Sequence, residues 1–113
     1  MGKKRKRELS DAALDLVANR FKMLAEPTRL KMLHTLGEDE LSVSEIVVRT
    51  GLSQANVSKH LAALLDAGIV GRRKEGLTAN YRVIDETVFA LCDVVCSRLK
   101  DEAVTRRRIV ERL

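Results

Sequence analysis

Residues 41–65, LSVSEIVVRTGLSQANVSKHLAALL, decide the fold. They predict two short helices joined by a tight turn. The first helix places Val43, Ile46 and Val47 on one apolar face, at the spacing of a buried helical stripe. Gly51 supplies the turn, because a residue without Cβ adopts positive φ at little cost. Ser53 follows as an N-cap, since its hydroxyl can accept a hydrogen bond from the first turn of the next helix.

The second helix of this stretch has two contrasting faces. One face is apolar at i, i+4 and i+7, with Val57, Leu61 and Leu64. The opposite face carries four polar or small residues: Gln54, Ala55, Ser58 and Lys59. Long polar side chains reach base edges or phosphates, and a small one lets a helix lie close to a DNA groove. The pattern predicts a helix-turn-helix with residues 53–67 as recognition helix, the alternative being an ordinary helical hairpin with a solvated polar side.

A basic hairpin follows at once. Two β-prone runs between residues 69 and 84 flank a Gly-containing turn, which predicts a β-hairpin. Its basic residues are Arg72, Arg73, Lys74 and Arg82. A helix-turn-helix followed by a basic hairpin is typical of a winged helix, whose wing lies along the DNA backbone or minor groove. Double-stranded DNA is therefore the predicted partner, and Arg72, Arg73 and Lys74 join the predicted contact residues.

Three further helices complete the prediction. One runs from Ser10 or Asp11 to about Leu24, one spans residues 28–36 after Pro27, and a long one runs from Asp85 toward the C-terminus. The first and last helices carry apolar stripes that a single small chain cannot cover, which predicts a homodimer formed through them. The acidic connection at residues 38–40 would repel phosphates, so we expect it to point away from DNA.

Composition bounds the class of protein. The 113 residues suit one domain, at residues 10–113, with a single modest core. The net charge of +5 resides in residues 1–7, and the remainder carries 16 basic and 16 acidic groups. Residues 1–9 are therefore predicted to be a disordered basic arm, either binding nucleic acid or merely solvated. No apolar run approaches the ~20 residues of a membrane span, and no secretory signal is present, so we expect a cytoplasmic protein.

Three segments resemble one known family. They are AEPTRLKMLHTL at residues 25–36, ELSVSEIVVRTGLSQANVSKHLAALLDAGIV at residues 40–70 and RRKEGLTANYRV at residues 72–83. Together they resemble the ArsR/SmtB family of bacterial metalloregulators. The resemblance implies a homodimeric winged-helix repressor, paired through its first and last helices and released from its operator by an inducer. Gln54, Ala55, Ser58 and Lys59 match the family's DNA-contacting positions, whereas His60 matches a position that serves either packing or DNA contact.

The sequence departs from the family at its known inducer sites. The arsenic-sensing type carries Cys-Val-Cys where this chain has Ser42-Val43-Ser44, and hydroxyls are poor ligands for soft ions. The zinc-sensing type uses histidines on the last helix, and this chain has no histidine beyond Ile84. Both sites are therefore absent.

Cys92 and Cys96 remain as candidate sensing residues. At i, i+4 on a helix their Cβ atoms lie about 5–6 Å apart on one face. This spacing suits two ligands of one soft ion, such as As(III) or Cd(II), or part of a dimer-shared cluster of four thiolates. A further interpretation is that the two thiols sense an oxidant or a persulfide. The alternative is that both cysteines simply pack as small apolar residues.

The sequence thus leaves three functions open. The first is a repressor whose inducer is sensed at Cys92 and Cys96. The second is a DNA-binding regulator of the same type without a thiol sensor, and the third is a winged-helix protein-interaction module. An enzyme is disfavoured, because no nucleophile–base pair, phosphate-cradling loop or closed metal site is recognisable.

Overall fold

A computed structural model describes residues 8–113 of the chain. This range contains five helices and three strands: α1 (Asp11–Leu24), α2 (Pro27–Leu36), β1 (Leu41–Ser42), α3 (Val43–Thr50), α4 (Gln54–Asp66), β2 (Val70–Glu75), β3 (Thr78–Val83) and α5 (Thr87–Glu111). The predicted class, mainly helical with a hairpin wing, is confirmed. The predicted basic arm falls largely on residues 1–7, which lie outside the described residues. Within residues 8–113, no helix is both long and apolar enough to cross a membrane.

Local sequence signals set the helix starts. Ser53 caps α4 as predicted, with its Oγ accepting from the Asn56 backbone N–H at 3.1 Å. Gly51 adopts the left-handed conformation that ends α3, with φ 74°. α3 begins with a capping box, in which Ser42 Oγ accepts from Glu45 N–H and the Glu45 carboxylate accepts from Ser42 N–H. Gly51 and Ser53 thereby fix the turn between α3 and α4, and the capping box fixes the start of α3.

The core lies where α2, α3 and α4 meet the base of the sheet. Its fully buried side chains come from every one of these elements and from the start of α5: Met32, Leu33, Leu36, Ile46, Val57, Leu61, Leu64, Ile69, Val70 and Val88. The predicted apolar face of α4 is part of this set. Burying one face of α4 leaves its polar face directed outward.

The sheet has three antiparallel strands in the order β1-β3-β2. The hairpin β2–β3 was expected from the sequence, whereas the two-residue strand β1 was not. β1 pairs Leu41 with Tyr81, and β2 pairs Arg72 with the same Tyr81. Residues directly opposite each other on paired strands lie on the same face of the sheet. Leu41 and Val70 are buried, so their face is the one that packs against the helices.

The helices α1 and α5 leave much apolar surface uncovered in the single chain. The exposed large apolar side chains of these helices are Leu14, Leu16, Val17, Phe21, Val94, Val95, Leu99, Val104, Ile109 and Val110. Only Leu24 of α1 and Val88 of α5 are buried among the described residues. These two helices therefore present the faces that the sequence assigned to a second subunit.

Candidate nucleic-acid interface and cysteine pair

The exposed face of α4 carries the predicted contact residues. Gln54, Ala55, Ser58 and Lys59 are all exposed. The preceding turn is held by Thr50, whose hydroxyl donates to the Ile46 carbonyl at 2.7 Å and accepts from the Leu52 backbone N–H at 3.2 Å. The structure therefore brings these four residues together on one rigidly mounted surface.

His60 lies on the other side of α4. It is only 5% exposed, and its Nδ1 accepts from Arg29 Nε at 3.3 Å. Its Nε2 lies 3.3 Å from Glu26 Oε1. Because a guanidinium can only donate, the ring proton belongs on Nε2, facing Glu26. Of the two roles left open for His60, these contacts fit packing of α4 against the start of α2.

The wing separates its basic residues onto two faces. Successive strand residues point to opposite sides, so Arg72 and Lys74 share the side of buried Val70. We call this the inner face. Arg72 and its cross-strand neighbour Tyr81 border an open groove of about 420 Å³ beside α4, lined by Ser58, Ala62, Leu65, Asp66, Arg72 and Tyr81. The inner face of the wing is thus continuous with the exposed face of α4.

Arg73 lies on the outer face of the wing, which also carries Glu75 and Arg82. Its Nη2 and Nε donate to Glu40 Oε1 at 2.6 and 3.1 Å. Arg82 Nε is 3.9 Å from the same carboxylate, and Arg73 Nη1 is 3.5 Å from Glu75. The sequence groups Arg73 with Arg72 and Lys74, whereas the structure separates them, because strand alternation turns Arg73 toward Glu40.

Glu40, in the acidic connection, lies directly against the wing. The expectation that residues 38–40 point away from DNA stays a prediction. The hydrogen bond from Arg73 holds the pKa of the Glu40 carboxyl below its usual value. That carboxylate in turn raises the pKa of Arg73 above its usual range. The outer face is therefore an ion-paired surface, with two arginines facing two carboxylates.

Among the described residues, the inner cations have no such partners. Within residues 8–113, no carboxylate oxygen lies within 4.0 Å of Lys59, Arg72 or Lys74. Lys59 on α4 and Arg72 and Lys74 on the inner face of the wing contribute positive charge to this surface, and Asp66 lines the groove beside Arg72. A surface of this kind can neutralise phosphates while the helix reads base edges.

The cysteine pair lies on α5, away from this surface. Cys92 is half-buried, Cys96 is exposed, and both are free thiols. Burial raises the pKa of the Cys92 thiol, and the neighbouring Cys96 and Asp93 add to the rise. Over residues 8–113 no group of three or more His, Cys, Asp or Glu side chains is arranged to hold a metal ion. One chain therefore offers two sulfur ligands at most in this region.

A connection that the sequence did not reveal joins α5 to the recognition helix. Arg20 of α1 pairs with Asp85, just before α5, and its Nη2 donates to the Ala67 carbonyl at the end of α4 at 3.0 Å. Asp85 also accepts from the Thr87 backbone N–H at 3.1 Å. Arg20 and Asp85 are 65 residues apart, and no local pattern signals such a pair.

Comparisons with known proteins agree with this geometry. Residues 26–71 match the model of the bacterial regulatory protein, arsR family. The chain is 42% identical over 74 residues to a probable mercury resistance operon repressor of Streptomyces lividans, covering 66% of this chain and 59% of that protein. It is 34% identical over 98 residues to a biofilm growth-associated repressor of Xylella fastidiosa, covering 83% and 86%.

A solved structure is similar over nearly the whole domain. It is the solution structure of the homodimeric winged helix-turn-helix DNA-binding domain of a possible ArsR-family transcriptional regulator from Mycobacterium bovis. The two chains are 37% identical with a TM-score of 0.71, over 83% of this chain and 93% of that one. By contrast, the chain spans only 43% to 62% of the length of three of the curated relatives that it matches.

The fold and the surface together define a winged helix-turn-helix protein, with α3 and α4 as the helix pair and β2–β3 as the wing. The family match and the relatives identify it further. The chain belongs to the ArsR family of bacterial regulatory proteins.

Proposed function

We propose that the protein is a homodimeric transcriptional repressor that binds operator DNA and is released when a thiophilic ligand reacts at Cys92 and Cys96. The observation that carries the DNA-binding part is the continuous surface formed by the exposed face of α4 and the inner face of the wing. Repression, rather than activation, is supported by the names of two relatives, which are called repressors.

DNA binding follows from the chemistry of that surface. Gln54 and Ser58 offer amide and hydroxyl groups to base edges, and Ala55 lets the helix approach the groove. Lys59, Arg72 and Lys74 neutralise phosphates, which supplies most of the sequence-independent affinity. In this arrangement α4 occupies the major groove while the wing follows the backbone beside it.

Dimerisation follows from the apolar faces of α1 and α5. An exposed apolar patch of this extent on a small chain marks an interaction surface. A symmetric dimer would bury it and place two copies of α4 on one side of the assembly. The relative from Mycobacterium bovis is homodimeric, which supports the same arrangement for this chain.

Sensing at the cysteines follows from their chemistry and position. Two thiols one helical turn apart can bind one soft ion, and thiolates are the ligands such ions prefer. If α5 pairs with its copy, four thiols come within one region of the dimer, which suits As(III), Cd(II) or Hg(II). A relative is named for mercury resistance. Arg20, which bridges the start of α5 and the end of α4, offers a route by which a change at α5 would reach the recognition helix.

One observation favours a second candidate, a regulator without a thiol sensor. Cys96 is flanked on α5 by exposed Val95 and Leu99. In a dimer through α5, both cysteines would be covered and would act as small apolar packing residues. This candidate keeps the DNA-binding surface and moves the input elsewhere.

Operator binding under reducing conditions tests both candidates. The dimer is titrated against labelled duplex from its own upstream region, and then As(III), Cd(II), Hg(II), Zn(II) or a persulfide donor is added. Because the chain has only two cysteines, a Cys92→Ser/Cys96→Ser variant is thiol-free, and a Cys92→Ala/Cys96→Ala variant is the apolar control. Release of the wild type alone supports thiol sensing. Equal behaviour of all three proteins supports the second candidate, and absence of duplex binding refutes both.

A further inference from the structure

The outer face of the wing contains a charge cluster that lies outside the proposed DNA-binding surface. Arg73 and Arg82 face Glu40 and Glu75 there, so the cluster is close to neutral. The Glu40 carboxylate accepts two hydrogen bonds from Arg73, at 2.6 and 3.1 Å. Both bonds end on the same oxygen, Oε1, and charge-assisted hydrogen bonds are shorter and stronger than bonds between neutral groups.

The position of Glu40 is set by the fold rather than by a flexible loop. The next residue, Leu41, is 3% exposed and pairs with Tyr81 in the β-ladder. The strand β1 therefore anchors the acidic connection against the middle of the wing. β1 thereby places the Glu40 carboxylate at the outer face of the wing.

We propose that Glu40 is a specificity-determining positioning residue, which holds Arg73 and Arg82 on the outer face so that only the inner face and Lys59 neutralise phosphates. The proposal rests on the proposed DNA-binding function. Its consequence is that Glu40 acts through the two arginines and does not itself contact DNA.

Holding the two arginines on the outer face limits non-specific DNA binding, which carries no sequence information. Each additional phosphate contact raises affinity for every duplex alike. Phosphate contacts made while α4 lies on its target bases help to position the recognition helix. Two long arginines that were free to reach other phosphates would instead strengthen complexes in which α4 lies on the wrong bases. Withholding them therefore increases the ratio of operator to non-specific affinity.

The test compares Glu40→Gln with Glu38→Gln. Both variants remove one negative charge from the same acidic connection, but Glu38 forms no ion pair within residues 8–113. Affinity for an operator duplex and for a scrambled duplex is measured from 50 to 300 mM salt by fluorescence anisotropy. For Glu40→Gln we expect tighter binding of the scrambled duplex, a lower specificity ratio, and a salt slope steeper by about 0.9 per phosphate gained in each subunit. Glu38→Gln should keep the wild-type slope.

Two further variants keep the test decisive. Arg73→Gln removes the main arginine from the outer face and should leave the salt slope at the wild-type value. In the Glu40→Gln/Arg73→Gln double variant, the gain in slope should fall by about half. Thermal unfolding followed by circular dichroism verifies that each variant is folded, and a flattened slope for Arg73→Gln refutes the proposal even if Glu40→Gln does not fold.

The possible failures are distinguishable. If Glu40→Gln and Glu38→Gln have the same slope, or if Arg73→Gln flattens the slope as Arg72→Gln does, the role of Glu40 is refuted and DNA binding stands. If the wild type shows no salt-dependent binding to any duplex, the proposed function itself is refuted.

Discussion

Arg72→Gln is the substitution whose effect on DNA binding can be calculated most directly. In residues 8–113, the exposed face of α4 and the inner face of the wing carry three cations with no carboxylate oxygen within 4.0 Å, namely Lys59, Arg72 and Lys74, so this surface presents six in a symmetric dimer. With one phosphate per cation, log affinity should fall with log salt at a slope of about −5.4, which is −0.9 per phosphate. Arg72→Gln removes two contacts per dimer and should reduce the slope to about −3.6.

The difference in slope is large enough to measure. Between 50 and 200 mM salt the wild type should lose about 1,800-fold in affinity, whereas Arg72→Gln should lose about 150-fold. Titration of a fluorescent operator duplex at four salt concentrations gives both slopes.

Arg73→Gln is the matched control, because it removes the same charge from the adjacent residue on the other face of the strand. Its slope should stay near the wild-type value. If the two variants gave equal slopes, the assignment of phosphate contacts by strand face would be wrong.

Four further predictions concern stability and the thiols. Ser42→Ala removes the capping box of α3 and should lower the free energy of unfolding by about 1 kcal/mol in urea titrations. Hydrogen bonds from Ser42 in the same box lower the pKa of the Glu45 carboxyl below the usual 4.5. The ionised carboxylate therefore stabilises the folded state above pH 4.5, and this stabilisation is lost as the pH falls through the lower folded-state pKa. In Glu45→Gln the free energy of unfolding should depend less on pH in this acid range. His60→Ala removes a buried ring and its contacts with the half-buried Arg29 and Glu26, and should lower the free energy of unfolding by about 1 kcal/mol; an unchanged urea midpoint would contradict this. At pH 7.5 iodoacetamide should label Cys96 before Cys92, whose pKa is raised by burial, and peptide mass spectrometry that found the reverse order would contradict that assignment.

Local sequence patterns were sufficient to predict most of the fold. The apolar spacing of residues 41–65, Gly51 and Ser53 specify the helix pair, because caps, turns and buried stripes depend on near neighbours. The strand β1 was missed, since two residues are too few to show an alternating pattern. Its pairing with Tyr81 depends on how the hairpin packs, which only the tertiary structure determines.

The candidate site was predictable in its helix and less so in its wing. The exposed residues of α4 follow from helical periodicity once the buried face is known. In the wing, Arg72, Arg73 and Lys74 form one basic run, and composition alone does not reveal which of them meets a carboxylate. Glu40 lies 33 residues from Arg73, so their pairing has no signal in the local sequence.

Sequence-specific DNA binding is tested most directly by competition between two duplexes. One is the chain's own upstream DNA, and the other is a scrambled duplex of the same length and composition, both at physiological salt and under reducing conditions. A repressor that reads bases through α4 should prefer the upstream duplex by about 10³-fold or more. Equal affinity for the two duplexes would contradict sequence-specific recognition of that DNA by α4.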